Sequence, residues 1–252
     1  MVNGKRYGWI MQSKVILVTG AARRIGAEIA RHLHAAGASV AVHYHSSADE
    51  ANQLVAGLND IRDNSALSVK CDLRNFDALP GLVESVIERF GRLDALVNNA
   101  STFYPTKVGS IDVSQWEDLM GTNLGAPLFL SQAAAPALRD NHGAIVNLVD
   151  IHADRPLSEH PVYCAAKAGL HMLTRSLARE LGPAIRVNGV APGPILWPEN
   201  DSSEEKQQKI IASTALKRHG EPLDIAQTVL FLLRDAGFIT GQIIAVDGGR
   251  SI

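Results

Sequence analysis

The chain is poor in cysteine: Cys71 and Cys164 are the only two among 252 residues. They have no metal-ligand spacing and form no disulfide framework, so a reducing cytoplasm is the expected compartment. Charge of one sign is also missing, since 24 Lys and Arg oppose 26 Asp and Glu. A balance of -2 leaves no drive toward a polyelectrolyte, so neither nucleic acid nor an anionic membrane is an expected partner. No apolar run approaches the roughly 18 residues of a membrane span. Residues 1–12 lack the apolar stretch of a signal peptide and are expected to form a disordered extension, with Met11 a candidate start. Repeats, low-complexity tracts and a second-domain boundary are absent as well.

What is present is a hydrophobic content of 46%, enough for one α/β domain over 13–252 with a large core. Apolar runs of strand length fall at 14–19, 39–44, 66–71, 95–98, 144–149, 186–191 and 242–246. Helical periodicity fits 25–36, 48–62, 82–90, 113–138, 162–181 and 223–233. Gly37 and Gly182 stand at helix ends, and Gly91 follows another. The alternation predicts a single doubly wound Rossmann domain, a seven-stranded parallel sheet with helices on both faces. A Pro-, Asn-, Asp- and Ser-rich stretch after the sixth strand would lie at the carboxyl edge of the sheet. A substrate lid at about 193–213 is expected from it.

The first strand runs into Thr19-Gly20-Ala21-Ala22-Arg23-Arg24-Ile25-Gly26 and then a helix. A glycine-rich turn there lets backbone approach a pyrophosphate seated on the helix N-terminus. The second strand ends in His43-Tyr44-His45-Ser46-Ser47, without the carboxylate that binds the ribose hydroxyls of NAD. Hydroxyl and imidazole donors, with Arg23 or Arg24 nearby, suit a 2′-phosphate and point to NADPH.

Tyr163 and Lys167 lie four apart on a helix and share one face. A neighbouring ammonium favours phenolate, so Tyr163 is expected to exchange protons nearer neutrality. Asp150 stands 13 positions before the tyrosine. A carboxyl there can deliver a proton, which suits reduction of a C=N bond. To do so it must be protonated when substrate is bound; an ionised Asp150 would instead orient a water or Tyr163. The histidines, including His32, His34, His142, His152, His160, His171 and His219, show no ligand arrangement, and no metal is expected. Trp197 in the lid could cover the site or face a subunit partner.

From about Lys14 to the C-terminus the chain resembles the short-chain dehydrogenase/reductase family. The markers are Thr19-Gly20, Asp72, Asn98-Asn99-Ala100, Asn123, Tyr163-x-x-x-Lys167, Pro192-Gly193 and Asp247-Gly248-Gly249. The resemblance implies that Tyr163, Lys167 and Asn123 are catalytic, with Asn123 bending a helix and holding a water in a proton relay. It implies that Asp72 binds the adenine amino group, beside Leu73, and that Asn99, Ala100 and Ser101 line the cofactor. Gly20, Arg23, Arg24 and Ile25 would take the phosphates, and Tyr44, His45, Ser46 and Ser47 the 2′-phosphate end. Pro192, Gly193 and Ile195 would flank the nicotinamide, and Lys167 would also hold its ribose. The family usually has a serine where Asp150 stands.

Arg24 in place of a glycine, Ser101 after Asn98-Asn99-Ala100, the His-Tyr-His strand end and Asp150 are together similar to the pteridine reductase branch. That likeness implies hydride transfer to the pyrazine ring of an oxidised pterin or a dihydropterin, with Phe103 stacked on it and Arg24, Ser101, Asp150 and Tyr163 around it. Dihydrobiopterin, dihydromonapterin and dihydrofolate are the candidates. Other members of that branch carry arginine where Ser46 stands, and a longer lid. Alternatives are reduction of a 3-oxoacyl thioester, which Asp150 and Arg24 argue against, and a non-catalytic dinucleotide sensor, which would not need Asn123, Tyr163 and Lys167. Family resemblance also implies a homotetramer packed through the helices at 113–138 and 162–181. The ratio of kcat/KM for NADPH over NADH should exceed one; a preference for NADH would refute the reading of residues 43–47.

Overall fold

The computed structural model describes residues 11–197 and 203–252. Seven strands form one parallel sheet: β1 Val15–Val18, β2 Ser39–Tyr44, β3 Ala66–Lys70, β4 Ala95–Asn98, β5 Ala144–Leu148, β6 Arg186–Pro192 and β7 Ile243–Val246. Their spatial order is β3-β2-β1-β4-β5-β6-β7. Strand order reverses between β1 and β4, and such a switch point opens a crevice at the carboxyl ends of the two strands.

Side chains alternate across the sheet, and each strand feeds two cores. Ile16, Val18, Val40, Val42, Ala95 and Val97 face one side, where helices α1 (Arg24–Ala35), α2 (Ala48–Ile61) and α8 (Pro222–Arg234) supply Leu33, Leu58 and Leu233. Val15, Leu17, Ala41, Leu96 and Ile145 face the other, against Leu82 of α3 (Leu79–Phe90) and Leu130 of α5 (Ala126–Asp140). α6 (Pro161–Leu181) adds Ala178 there. Each fully buried Leu or Ile contributes about 1.5–3 kcal/mol by leaving water.

Three expectations need correction. Met11 is not part of a loose extension: it is 2% exposed and belongs to the first core. Its carbonyl accepts from the Lys14 N–H, a turn that folds it back toward β1. Residues 1–10 of the expected extension lie outside the described residues.

The single helix expected at 113–138 is instead α4 (Val113–Met120), a π-helical segment Gly121–Gly125, and α5. The Asn123 side chain donates to the Leu119 carbonyl four residues back, at 2.9 Å, and so competes with the helical ladder. Pro127, in the first turn of α5, has no N–H to donate.

The region at 193–213 contains a helix that was not anticipated, α7 (Glu204–Ala212). It buries no residue, so it carries no apolar stripe to read, and the expected lid falls partly on 198–202, outside the described residues. Among the described residues, no helix is long and apolar enough to cross a membrane.

At the amino edge of the sheet, Asp94 is fully buried. Its carboxylate accepts from Lys14 Nζ at 2.8 Å, from Arg92 Nε and Nη2 at 2.7 Å each, and from the Val15 N–H at 3.0 Å. Burial pushes its pKa up, but hydrogen bonds from Arg92 and Lys14 outweigh it and hold the carboxyl below its usual range. This clamp joins the start of β1 to the start of β4. Asp94→Ala should lower the unfolding free energy by about 2–4 kcal/mol in urea, since charge-assisted bonds are lost while the cations keep some contact with water. A loss below about 0.5 kcal/mol would show that the clamp is dispensable.

Candidate active site

The carboxyl ends of β1 and β4 are tied by side chains that are nearly all expected site residues. Thr19 Oγ1 accepts from the N–H groups of Asn99 at 2.9 Å and Ala100 at 3.0 Å. Asn99 Nδ2 returns bonds to the carbonyls of Thr19 at 2.8 Å and Gly20 at 3.1 Å. Gly20 has φ +60°, and a Cβ there would lie 2.9 Å from the Ala100 Cα, so only glycine fits. Arg24 shares the left-handed conformation with φ +56°, in the turn position where the family more often has glycine.

The turn opens onto a cavity of about 590 Å³. Its wall contains Gly20, Arg23, Arg24, Ile25, Tyr44, His45, Ser46, Ser47, Asp72, Leu73, Asn99, Ala100 and Ser101, all expected cofactor residues. Arg74, Thr102, Asp118 and Thr122 are additional lining that sequence reasoning missed. Arg74 follows the recognised Asp72-Leu73 directly, so chain proximity could have flagged it; nothing local marks Asp118. Pro192, Gly193 and Ile195 do not line this cavity. Gly193 donates its N–H to the Val246 carbonyl at 3.0 Å, and Ile195 is buried, lining a separate cavity of about 740 Å³.

His43, near the end of β2, faces inward. It is 2% exposed, its Nδ1 accepts the Gly20 N–H at 3.0 Å, and its Nε2–H donates to the Cys71 carbonyl at 3.0 Å. Both nitrogens are used only in the neutral ring, and burial drives the pKa down to about 4. Strand alternation carried this signal, because Ala41, two residues earlier, faces the same buried side. The imidazole left for an anion at this end is that of His45, 4.0 Å from Asp72.

Asp150, Tyr163, Lys167, Asn123 and Phe103 do not line the cavity at the turn either but lie beyond its Ser101 wall. There Tyr163 donates its phenol proton to Asp150 Oδ2 at 2.7 Å. The other carboxylate oxygen accepts from the His152 N–H at 2.8 Å, which fixes its orientation. Lys167 Nζ donates to the Leu148 carbonyl at 2.8 Å and lies 5.7 Å from the centre of the Tyr163 ring. Ser101 Oγ donates to Asn123 Oδ1 at 2.6 Å, and Asn123 Nδ2 donates to the Thr102 carbonyl at 3.0 Å. Asp150, Tyr163, Lys167 and Asn123 are thus brought together by the ends of β5 and α6 and by the π-helical segment.

The expected depression of the tyrosine pKa is overturned. Burial and the adjacent Asp150 carboxylate hold the Tyr163 phenol well above its ordinary value, against a smaller opposing effect of Ser101. Lys167 is fully buried, and burial pulls its ammonium down to about 8 although Asp150 opposes this.

Phe103 is half exposed, edge-on to Tyr163 at 4.8 Å, and stacked on His160 at 4.7 Å between centres. His160 therefore covers part of the ring expected to stack on substrate. At the cleft mouth, Arg24 Nη2 donates to the Trp197 carbonyl at 3.4 Å, and Trp197 meets His219 edge-on at 5.8 Å.

This geometry is a dinucleotide-type cleft ending at a Tyr–Lys–carboxylate cluster, and comparison with known proteins agrees. A family model described as enoyl-(acyl carrier protein) reductase matches residues 20–251. The chain belongs to the short-chain dehydrogenase/reductase family of oxidoreductases. It is 38% identical to pteridine reductase 1 of Leishmania tarentolae, over 94% of this chain and 96% of that protein. That alignment spans 281 positions, so the relative carries insertions that this chain of 252 residues lacks. A 3-oxoacyl-(acyl-carrier-protein) reductase of Staphylococcus aureus is 37% identical, over 94% and 98%. Among solved structures, a blue fluorescent protein from a metagenomic library in complex with NADPH superposes with a TM-score of 0.91 at 36% identity, covering 97% of this chain and all of that one.

The neutral His43 has a pH consequence. Its folded pKa lies below its unfolded value of about 6.5, so its contribution is complete above that pH and is lost as pH falls toward 4. In urea titrations, the stability gap between wild type and His43→Asn should shrink by up to about 3 kcal/mol between pH 7 and pH 4. A gap that does not change with pH would refute the buried neutral ring.

Proposed function

We propose that the protein is an NADPH-dependent pteridine reductase that converts oxidised pterins or dihydropterins to tetrahydropterins. The observation that carries this reading is the 2.7 Å hydrogen bond between Tyr163 and a carboxylate at the position where the family usually has serine. The residues suit the cofactor: Gly20 forms a cradle that a Cβ would fill, at the N-terminus of α1, and the wall at residues 44–47 carries hydroxyls and an imidazole but no carboxylate. NADPH, when bound, supplies the hydride to a carbon of the pyrazine ring. Gly20, Arg23, Arg24 and Ile25 hold its phosphates, and Asp72 and Leu73 its adenine. Lys167 holds its nicotinamide ribose, with Pro192, Gly193 and Ile195 nearby.

Tyr163 and Asp150 act as one proton-sharing unit. Their common proton is delivered to the ring nitrogen next to the reduced carbon, from the phenol or from the carboxyl according to the oxidation level of the substrate. Lys167, 5.7 Å from the phenol ring, favours negative charge developing there. Asn123, fully buried and bonded to Ser101, holds a water on the path to solvent. Phe103 offers the face not covered by His160 to the flat pterin, where stacking is worth about 0.5–1.5 kcal/mol beyond area burial. The described part of the expected lid meets the turn through the Arg24–Trp197 bond, which would help close the site over substrate. The working unit is a homotetramer packed through α4–α5 and α6.

A second reading, reduction of a 3-oxoacyl thioester, is favoured by the 37% identity to the staphylococcal enzyme. NADPH oxidation with dihydrobiopterin, dihydromonapterin, dihydrofolate and a 3-oxoacyl thioester, run side by side, separates the two. Pterin turnover is expected; turnover of the thioester alone would overturn the proposal. In Asp150→Ser, pterin kcat should fall about 10²–10⁴-fold, while the NADPH Kd changes less than about threefold. Undiminished pterin turnover in that variant would remove the carboxylate from the mechanism.

A further inference from the structure

Three side chains from separate parts of the chain form a polar bridge behind the cleft. Arg74 follows β3; its backbone N–H donates to Asp72 Oδ1 at 3.0 Å, and its Nε lies 3.5 Å from the same oxygen. Its Nη1 reaches α4 and donates to Asp118 Oδ1 at 3.2 Å. The second oxygen of that carboxylate accepts from the Tyr104 hydroxyl at 3.1 Å. Tyr104 is the neighbour of Phe103; Phe103 meets the Tyr163 ring edge-on, while Tyr104 packs against the cluster of Leu119, Val162, Tyr163 and Cys164 and its hydroxyl reaches α4. An ion pair followed by two hydrogen bonds thus links Asp72, through Arg74 and Asp118, to the loop that carries Phe103.

Its ends differ in what they touch. Arg74, Asp72 and Asp118 line the cofactor cavity, whereas Tyr104 does not. The loop before and after Tyr104 is held elsewhere, by Asn123 at Thr102 and by the Thr106 N–H on the Glu159 carbonyl at 2.7 Å. Between those points Tyr104 is the anchor facing α4, with a weaker bond to the Gln115 carbonyl at 3.4 Å. Burial and then Asp118 push the Tyr104 phenol up, so it remains a donor across the working pH range. The backbone hydrogen bond from Arg74 also lowers the Asp72 pKa.

We propose that Asp118 is a positioning residue that couples occupancy of the adenosine end of the cleft to the placement of Phe103. Resting on the reading above, this means that dinucleotide raises the affinity for pterin. A ligand that fixes Asp72 fixes the Arg74 guanidinium, which holds one oxygen of Asp118; the other oxygen then holds Tyr104 and the adjoining Phe103. The coupling is reciprocal, so pterin must tighten dinucleotide by the same factor. Neither Asp118 nor Tyr104 touches the reacting atoms.

The test uses the full chain and the unreactive pair NADP⁺ and dihydrobiopterin. The Kd of dihydrobiopterin is measured by calorimetry with and without saturating NADP⁺, in wild type, Tyr104→Phe and Asp118→Asn. The wild-type ratio should lie within about 5–150-fold. It should fall at least about fivefold, toward one, in either variant, and no further when the two are combined, because both act through one bridge. Tyr104→Phe, which loses only a hydroxyl, should leave the NADP⁺ Kd measured alone within about threefold, a split that general loosening of the fold would not produce. A wild-type ratio near one, or a ratio unchanged in Tyr104→Phe, overturns the proposal. If dihydrobiopterin fails to bind wild type under either condition, the pterin reading falls by itself. The same ratio, measured with a 3-oxoacyl thioester, then decides the coupling by the same two outcomes.

Discussion

The junction of β1 with β4 is the constraint on which the rest of the molecule depends. These strands meet where the sheet reverses its order, and the junction is secured at both ends. Asp94 clamps the amino edge with four hydrogen bonds, and Thr19 with Asn99 ties the carboxyl edge with four more. The lower clamp sets the height of one strand against the other. The upper tie sets how far Gly20 stands from Ala100, and hence whether the turn can admit a pyrophosphate. His43 extends the tie to β2 and β3 through Gly20 and Cys71. Cleft geometry is thus inherited from strand register, not from loop preference.

Burial sets the chemistry of the cluster beyond that tie. Tyr163 and Lys167 are both nearly removed from water, and burial disfavours the charged form of each. Their pKa values therefore move apart, the phenol upward and the ammonium down to about 8. Asp150 accepts the phenol hydrogen bond at 2.7 Å and is steadied by the His152 N–H at 2.8 Å. A bound substrate would change this balance by excluding water and by offering a new acceptor. The carboxylate makes the arrangement different in kind from a serine hydroxyl, which cannot store a proton.

Much of the scaffold was legible because buried parallel strands leave unbroken apolar runs. The runs at 39–44 and 95–98 coincide with β2 and β4. Legibility stopped where tertiary contact replaced periodicity. Periodicity ran the helix through 113–138, and only family resemblance marked the bend at Asn123, where the π-helical segment Gly121–Gly125 lies and the side chain bonds its own backbone. α7 buries nothing and so left no stripe. Met11 looked like part of a tail because its burial partners on the first core are remote in sequence.

The candidate site divides in the same way. Turn residues, the Tyr–Lys spacing and Asp150 are local signals, and the sequence by itself determined that they belong to one dinucleotide-type α/β oxidoreductase fold. Only the tertiary structure decided how those groups are charged. Read along the chain, Tyr163 has a lysine one helical turn away and should be acidic; in the fold it is buried with a carboxylate 2.7 Å from its oxygen, and the sign of the shift reverses. Likewise the sequence showed His43 beside hydroxyls, while folding turned it inward and made it neutral. A protonation state depends on distances and on excluded water, and neither exists until strands far apart in the chain are placed side by side.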